Sequence, residues 1–284
     1  MTFPVSDIRS GEVQLRGKLW SSPSATAAVI LLHGSAGWSD SREGHYARAF
    51  SEAGFTVLAV DSFGPRGIAT TTEDQSQVSS LQMARDGFAA SRYLRERGFP
   101  MTRQAIMGFS KGGAAALFAA DRTFLPQEPE RFAAALAFYP ACVTRPRVPK
   151  PASPVLMALG ERDDYAGVKP CQEIASAFGA AGGAITVNIY PGATHTFDGD
   201  PAHSGVQQLR VVENFMDCRL YVEEDGSMTL GESRFPAGDP KVMAAMRSAC
   251  MRHGATIWTN TRQKMQATKD ALRFMEAEFD RKPP

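Results

Sequence analysis

The chain has 284 residues, 43% of them hydrophobic, with 31 Lys+Arg against 30 Asp+Glu for a formal charge of +1. That length suits one large domain, or one domain with an insertion. No basic block points to nucleic acid, and no apolar run approaches the roughly 20 residues that span a bilayer.

The start, "MTFPVSDIRSGEV", lacks the charged and then apolar pattern of a signal peptide. A processed mature chain with a new Met1 would read the same, so the compartment stays open at this point. "GEVQLRGKLWSS" (11–22) alternates polar and apolar residues and predicts an antiparallel edge strand or hairpin. Near-continuous apolar runs come next at 27–34, 55–64, 104–110, 134–140, 153–163 and 184–192. Strands apolar on both faces belong to a sheet covered on both sides, usually a parallel one. Helical patterns lie between or after them at 41–53, 76–97, 111–121, 167–180 and 262–280. This alternation predicts a doubly wound, mostly parallel α/β sheet flanked by helices.

The alternation breaks after Pro191. "CRLYVEEDGSMTLG" (218–231) reads as a hairpin turning at Asp225-Gly226, and "SRFPAGDP" as a loop. "KVMAAMRSACMRHG" (241–254) reads as a short helix stopped by Gly254. The last helix resumes behind Thr259 or Asn260 as N-cap. The chain is thus expected to be one domain, 1–284, with 205–260 inserted ahead of the final helix.

Ser110 stands where strand turns into helix, in "MGFSKGG". A G-x-S-x-G turn in that setting exposes the serine in a strained conformation at the ligand-binding edge of the sheet. Gly108 and Gly112 remove side chains that would collide there, and the Lys111 N–H points toward a developing oxyanion. A serine needs a base, and the base an orienting acid, in the order Ser, Asp or Glu, His. "LGERDD" ends the fifth long run with Asp163 and Asp164, and "PGATHTF" after the sixth carries His195. Of His195, His203 and His253, only His195 sits just past a strand. Asp163 is preferred as the acid, leaving Asp164 as an N-cap or a solvated neighbour. The Ser35 backbone N–H, in "LLHGSAGWSD", is the second oxyanion donor, with His33 tying that loop down. Trp38 either lines the site or caps the core. Arg66 either meets a substrate carboxylate or is a solvated loop residue. The Lys111 side chain is expected in solvent.

The four cysteines form no C-x-x-C pair, so no zinc site is expected. Pairing sequence neighbours would give Cys142–Cys171 and Cys218–Cys250, each bond worth about 3–4 kcal/mol in the chain-entropy picture. Four free, buried thiols are the alternative.

The segments "VILLHGSAG", "VLAVDSFGPRG", "MGFSKGGAAAL", "LGERDDYAGVKPC" and "YPGATHTFD" resemble the dienelactone hydrolase branch of the α/β-hydrolases. The resemblance implies an α/β-hydrolase fold, ester or lactone hydrolysis of a small molecule, and Ser110, Asp163 and His195 as triad. It also implies backbone donors at Ser35 and Lys111. Members that open dienelactone use cysteine where this chain has Ser110. They also carry a glutamate in the oxyanion loop, where this chain has His33-Gly34. A serine carboxylesterase needing no metal or organic cofactor is the better match. Extended members with similar cysteine placement look exported, which favours the two disulfides and a periplasmic or secreted address over the cytoplasm. A silent binding protein of the same fold, and a peptidase or amidase, are the rival readings. The oligomeric state is not legible.

Overall fold

The computed structural model describes residues 1–7, 11–202 and 205–280; His203 lies outside them. In chain order the strands are β1 (Thr2–Asp7), β2 (Gly11–Trp20), β3 (Ala28–Leu32), β4 (Thr56–Asp61), β5 (Gln104–Phe109), β6 (Ala134–Phe138), β7 (Thr144–Pro146), β8 (Val155–Gly160) and β9 (Ile185–Tyr190). After them come β10 (Gln207–Asn214), β11 (Leu220–Val222), β12 (Met228–Leu230), β13 (Ser233–Phe235) and β14 (Arg252–Ile257). The helices are α1 (Glu43–Glu52), α2 (Ser80–Arg95), α3 (Lys111–Ala119), α4 (Val168–Ala180), α5 (Lys241–Ala249) and α6 (Thr261–Asp280).

The main sheet runs β1-β2-β4-β3-β5-β6-β8-β9. β4 through β9 in that order are parallel, and the β1–β2 hairpin joins antiparallel at β4. The 11–22 segment is therefore the inner arm of a hairpin, and β1 takes the edge.

Alternation along the strands divides the core. Ile30, Leu32 and Ile106 face Phe88 of α2, Ala115 of α3 and Phe178 of α4. Val29, Leu31 and Met107 face Phe50 of α1 and Ala271 of α6. The central strands β3, β4, β5, β6 and β8 thus bury both faces, which is why their sequences read as unbroken apolar runs; β9, at the edge, is only part-buried. Asn260 caps α6, its Oδ1 accepting from Gln263 N at 3.2 Å.

Residues 207–257 build a smaller layer. β10 pairs antiparallel with β14, and β13-β12-β11 joins β7 of the main body, Leu220 opposite Thr144. Beneath it lies a third core of Phe215, Cys218, Leu220, Val242 and Met246. The hairpin around Gly226 (φ 81°) is as expected. Two other expectations are corrected. Ser233–Phe235 is a strand rather than loop, paired with β12. The short helix ends at Ala249, and Gly254 lies inside β14 instead of stopping it. β14 owes its existence to a partner some forty residues earlier, which local propensity does not report.

Both neighbour pairs of cysteines are bonded, Cys142–Cys171 and Cys218–Cys250. The first ties the loop after β6 to α4; the second closes the small core across α5. No helix among the described residues is long and apolar enough to cross a membrane.

Candidate active site

Ser110 is the turn between β5 and α3, with φ 53° and ψ −111°. A non-glycine residue there is strained and held by its surroundings. The Ser110 N–H donates to Phe138 O at 2.9 Å, and its carbonyl accepts from Ala114 N at 3.0 Å. The flanking glycines have no room for a side chain. A Cβ on Gly108 would lie 2.0 Å from Gly112 O, and one on Gly112 would lie 2.4 Å from Leu32 O. Since both obstacles are backbone, Gly108→Ala is expected to cost about 3 kcal/mol or more. Denaturant unfolding checks this; a loss below about 1 kcal/mol would mean the turn relaxes freely.

His195, beyond β9, closes on that serine. Its Nε2 is 3.0 Å from Ser110 Oγ and its Nδ1 is 2.8 Å from Asp163 Oδ2. All three residues are buried, between 5% and 8% exposed, so water competes little for these bonds. The other carboxylate oxygen of Asp163 accepts from Tyr165 N at 2.9 Å and Ala166 N at 2.8 Å. Burial alone would raise the Asp163 pKa. His195 and the two backbone donors outweigh it and hold the carboxyl below its ordinary value.

Asp164 is an exposed neighbour of the acid candidate, but its side chain is engaged. Its oxygens accept from Thr256 N at 2.8 Å and Thr256 Oγ1 at 2.6 Å, fastening β14 beside the acid. The His195 loop is fastened too: Asn260 N donates to Phe197 O at 2.8 Å, and Lys264 Nζ to Gly199 O at 2.9 Å.

Tyr139 and Tyr165 enclose the imidazole, with ring centroids 4.9 Å and 4.7 Å away. Tyr139 has φ 35°, and its hydroxyl donates to buried Asp198 at 2.6 Å, as does that of Tyr46 at 3.0 Å. Burial pushes the Asp198 carboxyl up, against the pull of Arg42 and the two phenols. Sequence reasoning missed Tyr139, Tyr165 and Asp198. Their signal was faint: "AFYP" and "RDDYAG" each carry a tyrosine just past a strand end.

Near the serine, His33 Nδ1 and Gly34 O are 2.9 Å apart, and Nε2 accepts from Ser62 N at 3.2 Å. That is the tethering role expected of it, and burial lowers its pKa. Ser35 is 7% exposed and lies one residue from Gly34, where a Cβ would come 3.6 Å from Ser110 Cβ.

Three side chains sit differently from expectation. Lys111 is buried, its Nζ donating to Gln75 O at 2.9 Å and Val78 O at 2.6 Å. Arg66 borders the cleft, but its guanidinium is committed. Nε donates to Asp7 at 2.5 Å, and Nη1 and Nη2 donate to Asp86 at 2.8 Å each. It braces the loop after β4 and is not a free partner for a substrate carboxylate. Trp38 stacks on Trp20, centroids 5.7 Å apart, and is not among the residues lining the cleft. The cleft itself is about 1820 Å³, and its lining includes Ser110, Ser35 and Tyr165 together with Met228, Met243 and Met246.

The Dienelactone hydrolase family model matches residues 15–215. No match to the sequence is found among curated proteins. Among solved structures, a Klebsiella pneumoniae protein provisionally described as a dienelactone hydrolase is 20% identical, with TM-score 0.52, covering 69% of this chain and 88% of its own. Esterase 2 of Thermogutta terrifontis, phosphorylated by paraoxon, is 18% identical, with TM-score 0.51, covering 69% and 84%. MGS-M1, an α/β-hydrolase enzyme from a Medee basin deep-sea metagenome library, is 16% identical, with TM-score 0.51, covering 70% and 84%. At these identities the structures establish the shared α/β-hydrolase fold. With its family model spanning most of the sequence, the chain belongs to the dienelactone hydrolase family, as a hydrolase.

Proposed function

We propose that this hydrolase is a serine carboxylesterase that cleaves small carboxylic esters or lactones through an acyl-enzyme. The observation that carries the reading is the single imidazole set between Ser110 Oγ at 3.0 Å and Asp163 Oδ2 at 2.8 Å. His195 takes the proton of Ser110 as Oγ attacks the ester carbonyl. Asp163 fixes the tautomer and stabilises the imidazolium. The N–H groups of Ser35 and Lys111 receive the oxyanion, each worth about 3 kcal/mol. His195 then protonates the leaving alcohol. Water, activated by the same imidazole, releases the acid and restores the serine.

Two disulfides favour an oxidising compartment, periplasmic or secreted. We treat 205–260 as an insertion within one domain, because β11 pairs with β7 of the main body.

A fluorophosphonate is expected to label the protein once per chain, at Ser110, as read by intact-mass and peptide mass spectrometry. A folded protein that takes up no label would favour a silent binding role.

A further inference from the structure

We propose that Gln75 is a positioning residue that locks the oxyanion loop and the aromatic wall of His195 into one unit; this rests on the serine-hydrolase reading above. Gln75 lies in the segment before α2 and uses every polar group it has, each on a different part of the chain. Its Oε1 accepts from Ser35 Oγ at 3.0 Å. Its Nε2 donates to Tyr165 Oη at 3.0 Å. Its backbone N–H donates to Glu213 Oε2 at 2.8 Å, and its carbonyl accepts from Lys111 Nζ at 2.9 Å.

The partners make this more than a satisfied loop residue. Ser35 carries one proposed oxyanion donor, and Lys111 the other. Tyr165 packs its ring on His195 and gives its backbone N–H to Asp163. Glu213 brings in the 205–260 segment, since Arg247 of α5 grips it at 2.6 Å and grips Asp74 at 2.6 Å. Thr71 N and Thr70 Oγ1 also donate to Ser35 O, at 2.8 Å and 3.0 Å. The 70–75 segment thus holds Ser35 by its hydroxyl and its carbonyl together. The planar amide of Gln75 carries an acceptor and a donor together, and here it spends one on the Ser35 hydroxyl and the other on the Tyr165 phenol. Displacing an oxyanion donor or the base by about 1 Å costs on the order of a hundredfold in rate. One side chain spanning both is placed to prevent that.

The test compares wild type with Gln75→Met, which keeps length and removes both hydrogen bonds, using p-nitrophenyl butyrate and a fluorophosphonate. The kcat per labelled serine is expected to fall about tenfold to a hundredfold, with KM little changed and phosphonylation slowed by the same factor. Ser35→Ala and Tyr165→Phe, each cutting one arm, should each lose several-fold in kcat. Adding Tyr165→Phe to Gln75→Met should cost nothing further. A residue that only stabilises the loop would reduce the amount of labelled protein and leave kcat per labelled serine alone. That result in Gln75→Met overturns the proposal. Should Gln75→Met fail to fold, unchanged kcat in both single-arm variants overturns it. If wild type itself does not label, the hydrolase reading falls and takes this proposal with it. If wild type labels and the variants match it, only the role of Gln75 is lost.

Discussion

Ser110→Ala is expected to reduce p-nitrophenyl butyrate hydrolysis about a millionfold while the protein stays folded. The backbone bonds that shape the turn, Ser110 N to Phe138 O and Ala114 N to Ser110 O, survive the substitution. So does the close packing of Gly108 on Gly112, which belongs to the glycines. What disappears is the oxygen 3.0 Å from His195 Nε2 that the proposed mechanism uses as nucleophile. The oxyanion donors remain, so a residual acceleration over water of about a thousandfold or more is expected. Unaltered circular dichroism with background activity is the predicted pair of results. Activity close to wild type would remove Ser110 from the mechanism.

The second large effect separates two adjacent carboxylates. Asp163→Asn is expected to lower kcat about ten-thousandfold, because an amide facing Nδ1 favours the tautomer that cannot accept the serine proton. The surroundings of Asp163 suit that proposed task. One oxygen meets His195, the other is taken by two backbone N–H groups, and the carboxyl stays below its ordinary pKa despite burial. Asp164→Asn should leave kcat near wild type, since its oxygens serve Thr256 of β14 and its side chain is exposed. That change should instead loosen the attachment of β14, visible as faster amide exchange there. A crippled Asp164→Asn enzyme beside an active Asp163→Asn one would reverse the assignment of the acid.

The three residues that His195 brings together, Ser110, Asp163 and His195 itself, were legible because the fold places chemistry at strand ends. Six apolar runs mark the strands, and the residues just past the third, fifth and sixth of them reach one edge of a parallel sheet. Chain order then separates His195 from the other histidines, and proximity to Gly160 favours Asp163. Neither step needs a distance. The cysteine pairs were offered as sequence neighbours beside the alternative of free thiols and left open, because sequence carries no information on whether two thiols come within bonding reach.

The roles of Arg66, Lys111, Asp164 and Gln75 were beyond that method. Each depends on a partner distant in sequence: Asp7 and Asp86, the carbonyls of 75 and 78, Thr256, and the Ser35, Tyr165 and Glu213 set. A charged side chain in a loop reads as solvated until tertiary packing supplies the opposite charge or the carbonyl that makes burial tolerable. The pairing of β10 with β14 was hidden for the same reason, since neither strand is apolar enough to announce itself alone. Sequence by itself determined the parallel strands, the helices between them and the chain order of Ser110, Asp163 and His195, because hydrophobic period and glycine sterics act locally. Only the tertiary structure decided which polar groups are spent on holding the site and which face the cleft, because hydrogen bonds and ion pairs join residues that the chain keeps far apart.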